Sequence, residues 1–117
     1  NRLYIDGSHN SLGAKALNEY LNTLDCKKHL ILGMMSNKDH EEYLSKFNNI
    51  SSITTIDIPN QPNAIKGKDL KEKLNKYPNV SYKKSIKEAL NSINLGKDDL
   101  IMITGSLYLA GELLNLN

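Results

Sequence analysis

The sequence predicts a three-layer α/β domain, a mostly parallel sheet of about five or six strands with helices on both faces. Three observations lead there. Short apolar runs alternate with amphipathic stretches about five times from end to end. The connections between them are a few residues long, as right-handed βαβ units require. The run His29–Met35 is apolar without alternation after its first residue, the pattern of a strand buried on both faces.

Taken in order, Leu3–Asp6 reads as the first strand. Asn10–Leu24 follows as a helix, with Leu12, Ala16, Leu17, Tyr20, Leu21 and Leu24 at helical spacing. His29–Met35 is the second strand, and Asp39–Phe47 a helix whose apolar face is Tyr43, Leu44 and Phe47. Ser52–Ile58 is rich in β-branched residues and stops at Pro59, which marks a third strand. Asn60–Gly67 carries Pro, Asn and Gly and reads as a loop. Lys68–Lys76 is a charged helix with Leu70 and Leu74 inward, closed by Pro78. Val80–Tyr82 is a short strand. Ser85–Ile93 is a helix opened by a serine with Glu88 three residues on, a capping box, and Gly96 is placed as a helix-terminating glycine. Asp99–Thr104 is the last strand and Leu107–Leu114 the last helix.

The 117 residues fit one domain, large enough to bury a core without disulfides or metal. A formal charge of +2, from lysines and arginines with no polybasic stripe, argues against nucleic acid or a membrane surface as partner. The single cysteine, Cys26, excludes an internal disulfide and offers no metal-ligand spacing. Its place is a helix-to-strand junction. No apolar run approaches the roughly 20 residues of a membrane span, and no signal-peptide pattern opens the chain, so the expectation is a cytoplasmic protein. The chain begins without Met and runs at once into a strand, which reads as a piece of a longer chain, though N-terminal processing gives the same start.

Ligands of such sheets bind beyond the carboxyl ends of the strands, and three strands end unusually there. The first ends in Asp6-Gly7-Ser8-His9-Asn10, the second in Gly33-Met34-Met35-Ser36-Asn37-Lys38-Asp39, the last in Thr104-Gly105-Ser106-Leu107-Tyr108. Asp6 is a carboxylate suited to a ribose diol, a cation or a turn cap. Asn10 suits a helix N-cap, and His9 either a turn or a ligand contact. Gly105-Ser106 opens a helix, where free N–H groups and the dipole favour a carboxylate or phosphate, although serine there is commonly only a cap. Lys38 adds a point charge, or is simply solvated. Together Asp6, Lys38 and Ser106 describe one rim suited to an anionic small molecule. The sequence has no G-x-x-x-x-G-K-[ST] loop and no G-x-G-x-x-G after a strand. His9, His29 and His40 are not spaced as metal ligands, and no Ser-His-Asp set can be argued from spacing.

These three segments are Rossmann-like in position and, in content, resemble a known family. Asp6-Gly7-Ser8-His9-Asn10 resembles the D-G-A-H-N segment that opens the C-terminal domain of folylpolyglutamate and dihydrofolate synthases, within the Mur ligase superfamily. Gly33–Asp39 resembles that family's G-M-x-x-D-K-D, and Thr104–Glu112 its T-G-S-L-Y-L-x-G-E. The order and separations are family-like, and the motifs span almost the whole chain.

The resemblance implies that residues 1–117 are the glutamate-ligase domain of a larger ATP-dependent enzyme, with its P-loop and most of its Mg2+ ligands in an N-terminal domain outside this chain. ATP would phosphorylate a folate or dihydropteroate carboxylate, and the amine of L-glutamate would attack the acyl phosphate. Carried over by position, Asp6 would contact the ribose of ATP, with His9 and Asn10 shaping the nucleotide side. Lys38 and Ser106 would hold the glutamate carboxylates, with Tyr108 lining that pocket or packing in the core. No catalytic residue and no metal ligand is carried over to this chain, which is expected to be a monomer and inactive alone. Ser8 stands where alanine is commoner, Ser11 where proline is, and Asn37 where the family has aspartate. The loop Gln61-Pro62-Asn63-Ala64 lacks an arginine often found there. The alternatives are a peptidoglycan-precursor Mur ligase domain and, in a different class, a non-enzymatic flavodoxin-like binding or signalling module.

Overall fold

A computed structural model describes residues 2–114. Its elements are β1 (Arg2–Ile5), α1 (Ser11–Leu21), β2 (Lys28–Leu32), α2 (His40–Ser45), β3 (Ser52–Thr55), α3 (Gly67–Lys73), β4 (Val80–Tyr82), α4 (Ile86–Ser92), β5 (Leu100–Thr104) and α5 (Leu107–Leu114). The five strands form one sheet in the order β1-β5-β2-β3-β4, every pairing parallel. The expected Rossmann-like three-layer architecture is present, at the lower of the two strand counts.

Both faces of the sheet are covered, and alternation along each strand decides which side chain goes where. On one face Leu30 and Leu32 of β2, Ile53 of β3 and Leu100 and Met102 of β5 meet Ala14, Leu17 and Leu21 of α1, Tyr43 and Leu44 of α2, and Leu70 and Leu74 around α3. On the other face Ile31, Ile101 and Ile103 meet Ile86 and Ala89 of α4 and Leu109 of α5. All five residues of β2 and of β5 are buried, as central parallel strands should be.

Most elements are shorter than the periodicity predicts, because apolar spacing continues past the last intrahelical hydrogen bond. Asn10 caps α1 by accepting from the Gly13 N–H, Asp39 caps α2 through Glu42, and Ser85 caps α4 through Glu88. Gly96 departs from expectation. Helix α4 has already ended at Ser92, and the Gly96 N–H instead donates to Asp99 Oδ2 at 2.9 Å. Three residues of the asparagine-rich composition sit in left-handed turns, Asn49, Asn60 and Asn79, with φ of 56°, 61° and 59°. Asparagine tolerates that region better than most side chains.

The loop after β3 is held by Asp57. Its carboxylate accepts from the Gly67 N–H and from the Tyr82 hydroxyl, both at 2.7 Å. That bond holds the Tyr82 proton, pushing its pKa from 10.0 up to about 12. A phenol whose folded pKa is raised stabilises the fold fully below pH 10, and the contribution disappears as pH climbs to about 12. Denaturant midpoints measured across this range should fall with pH in the native chain, and Tyr82→Phe should flatten part of that fall.

Candidate functional site

The sheet order places the carboxyl tips of β1, β5 and β2 side by side. The chain binds them to one another there. The Asp6 N–H donates to Ile103 O at 2.9 Å, the Gly33 N–H to Thr104 O at 3.3 Å, and the Gly105 N–H to Ser8 O at 3.1 Å. Gly105 makes the contact between the last two tips possible. Its φ is 113°, and a Cβ there would run into Gly33 O and lie 3.0 Å from Leu32 and Met34. Only glycine fits.

Above these tips lies a cleft of about 530 Å³. From the β1 turn it is lined by His9. The loop after β2 contributes Met35, Ser36, Asn37 and Lys38, and the start of α5 contributes Ser106, Leu107 and Tyr108. Asn63 closes the wall from the loop after β3. None of these nine residues is acidic, and Lys38 brings the fixed positive charge. Ser106 is 1% exposed, and its Oγ accepts from the Tyr108 N–H at 3.0 Å. It therefore caps α5 while keeping its own proton available for a ligand oxygen. The buried Nδ1 of His9 has no hydrogen-bond partner. The orphaned nitrogen sits on a residue of the cleft wall, where an arriving group would change its surroundings.

The expected site residues thus divide. His9, Lys38, Ser106 and Tyr108 share the cleft. Tyr108 is 55% exposed, so it lines the pocket and is not a core residue. Asp6 and Asn10 lie outside the wall. Asp6 Oδ1 accepts from the Ser8 N–H at 2.7 Å and so shapes the turn, and Asn10 Oδ1 is occupied as the α1 cap.

Three features escape sequence reasoning. Asn63 arrives from a different strand–helix unit, carried by a bridge between Met35 and Ala64 and by its carbonyl, which accepts from Ser36 N–H and Oγ at 2.8 Å each. His40 Nε2 lies 2.9 Å from Met35 O and steadies the same loop. Beneath the cleft, Ser8 Oγ, Tyr43 OH and Thr104 Oγ1 are mutually bonded at 2.8 to 3.1 Å. Tyr43 OH also donates to Ser8 O at 3.2 Å. Burial raises the Tyr43 pKa, outweighing the opposing effect of the Ser8 and Thr104 hydroxyls. Ser8, read from the sequence as a mild departure from alanine, is therefore the joint between β1, α2 and β5.

Among the described residues no group of three or more His, Cys, Asp or Glu side chains could hold a metal ion, and no helix is long and apolar enough to cross a membrane. A parallel sheet covered by helices on both faces, with a cleft at its strand tips, defines the class: an α/β domain of the Rossmann-like kind. Residues 1–107 match the family described as Mur ligase, glutamate ligase domain. The chain belongs to that family. No curated protein matches.

Among solved structures, Mycobacterium tuberculosis folylpolyglutamate synthase complexed with ADP superposes with a TM-score of 0.87 at 21% identity, covering 97% of this chain and 29% of that one. The Thermotoga maritima folylpolyglutamate synthase gives 0.81 at 26% identity, covering 94% and 26%. A bifunctional folylpolyglutamate synthase/dihydrofolate synthase with Mn, AMPPNP and L-glutamate bound gives 0.81 at 18%, covering 97% and 28%. The chain therefore spans under a third of the structures it matches.

Proposed function

We propose that this chain is the C-terminal, glutamate-handling domain of an ATP-dependent ligase that joins L-glutamate to folate or dihydropteroate. The observation that carries this reading is the cleft itself, with Lys38 and Ser106 converging on a space that no carboxylate lines. An amino acid with two carboxylates needs such a space. Lys38 supplies a compact charge, Ser106 an O–H donor, and the start of α5 the positive end of its dipole.

ATP, when bound in the complete enzyme, turns the second substrate's carboxylate into an acyl phosphate, which an amine can attack. Within this domain Asp6, an acceptor-only carboxylate at the β1 tip, receives the ribose hydroxyls, and His9 and Asn10 shape that side. His9 also reaches the glutamate side, since it shares a wall with Lys38. Tyr108 and Leu107, both on the cleft wall, give it an apolar side that reduces the water competing for the activated carboxyl. Mg2+ belongs with the phosphates and is held mainly outside this chain. The protein works as a monomer in the cytoplasm.

Two measurements test the reading. The complete enzyme, supplied with labelled L-glutamate, ATP and Mg2+, should extend a folate or dihydropteroate substrate with release of ADP. Turnover only with a nucleotide-linked muramyl substrate would move the assignment to the peptidoglycan branch. Residues 1–117 alone should neither hydrolyse ATP nor ligate glutamate, and enzyme-like turnover by them would overturn the division of labour between domains.

A further inference from the structure

The opposite end of the sheet carries a second chemical constellation. His29 is the second residue of β2, Ser52 the first of β3, and Asp99 immediately precedes β5, so all three stand at the amino ends of neighbouring strands. His29 Nε2 lies 3.1 Å from Asp99 Oδ2, and His29 Nδ1 lies 2.7 Å from Ser52 Oγ. Asp99 is fixed in turn by the Gly96 N–H at 2.9 Å.

The tautomer follows from the partners. A carboxylate only accepts, so the neutral ring must carry its proton on Nε2. Nδ1 is then a bare lone pair, and the 2.7 Å contact must be the Ser52 hydroxyl donating to it. That is the arrangement of a serine with its general base in place and the base oriented by a carboxylate. The Gly96 N–H, and after it His29, hold the Asp99 carboxyl below its ordinary range, so it is ionised at neutral pH.

A clamp between strands would need no room beside the hydroxyl, but room is present. Ser52 and His29 open on a depression of about 310 Å³ whose walls include Thr54, Ser81, Lys83 and Asn94 and no carboxylate. Lys83 brings a positive charge to that wall.

We propose that Ser52, His29 and Asp99 form a second reactive centre, distinct from the cleft, in which Ser52 is the nucleophile toward small activated acyl esters. Ser52 Oγ forms a bond to the acyl carbon as its proton passes to His29 Nδ1, and the imidazolium is held through Nε2–H by Asp99. Lys83 faces the oxyanion. The bond to the leaving alkoxide or phenoxide breaks, and His29 returns the proton to that oxygen. Water then adds to the acyl-serine by the same route, giving the free acid and regenerating Ser52. The net change is ester plus water to acid plus alcohol.

The chain itself can be tested with a small fluorophosphonate and with p-nitrophenyl acetate. Expected is one phosphonyl group per chain, mapped by peptide mass to Ser52, and ester hydrolysis above the buffer rate that Ser52→Ala abolishes. His29→Asn should lower the labelling rate by about 10²- to 10⁴-fold, the range for loss of a general base. Circular dichroism melts will show whether that variant is folded. Lys83 is exposed, so Lys83→Ala should stay folded and label several-fold more slowly. An unlabelled native chain, labelling away from Ser52, or labelling at Ser52 that a folded His29→Asn leaves unchanged would each overturn the proposal and leave the trio as a strand clamp. The result is independent of the ligase reading.

Discussion

Gly105→Ala should remove a large part of the stability of this chain. The backbone at 113° in φ is open to glycine almost alone, and the new Cβ would meet the Gly33 carbonyl, a backbone atom that cannot turn aside. The strained backbone costs about 1 to 3 kcal/mol and the overpacking about 1 to 3 kcal/mol more, together about 3 kcal/mol or more. A domain of this size has only about 6 to 18 kcal/mol in total. The midpoint of thermal unfolding should fall by about 12 °C or more, at about 4 °C per kcal/mol. The matched control is Gly111→Ala in α5, where a Cβ meets nothing within 4 Å. That change should leave the midpoint the same or raise it slightly, since alanine is the better helix former. Equal midpoints for the two variants would show that the β5–α5 turn is not the constraint described.

In the complete enzyme, Lys38→Ala and Ser106→Ala should each raise the KM for glutamate by about 10- to 100-fold, the loss of one hydrogen bond to a charged group. The KM for ATP should stay within about threefold, because the proposed ribose contact, Asp6, lies outside the cleft wall. Ser106→Ala also removes the cap of α5, which costs about 1 kcal/mol of stability. Its melting temperature must therefore be measured beside its kinetics. Lys15→Ala, an exposed change on α1, serves as the control and should alter neither constant. Equal rises for both substrates would contradict the proposed glutamate role.

Much of the layered architecture could be read from the chain because burial on both faces writes itself into composition. The apolar runs at 30–34 and 100–103 announce central strands, and Leu70 and Leu74 announce the inner side of an otherwise charged helix. The strand-tip rule then located His9, Lys38 and Ser106, which do share a cleft. What escaped depends on pairings between distant segments. Asn63 reaches the wall only because its loop bridges to Met35, and Ser8 matters only because Tyr43 and Thr104 arrive beside it. The Ser52–His29–Asp99 series was invisible for the same reason, since it requires the register of β2 against β3 and β5. Asp6 and Asn10 show the opposite limit. Their residue types suit ligand contact and local capping equally, and hydrogen bonds to Ser8 and Gly13 are what the fold displays.

The pairing of β1 with β5 sets Arg2 opposite Leu100, so the first strand of this sheet acquires its neighbour only after the other three strands have been synthesised. Contacts so remote along the chain form slowly. The β1 tip, with the turn that carries His9, therefore joins a sheet whose middle can already be in place. On the ribosome the cleft wall is incomplete until the start of α5 emerges, and a nascent chain halted before β5 exposes the open edge of β2 before any cleft exists.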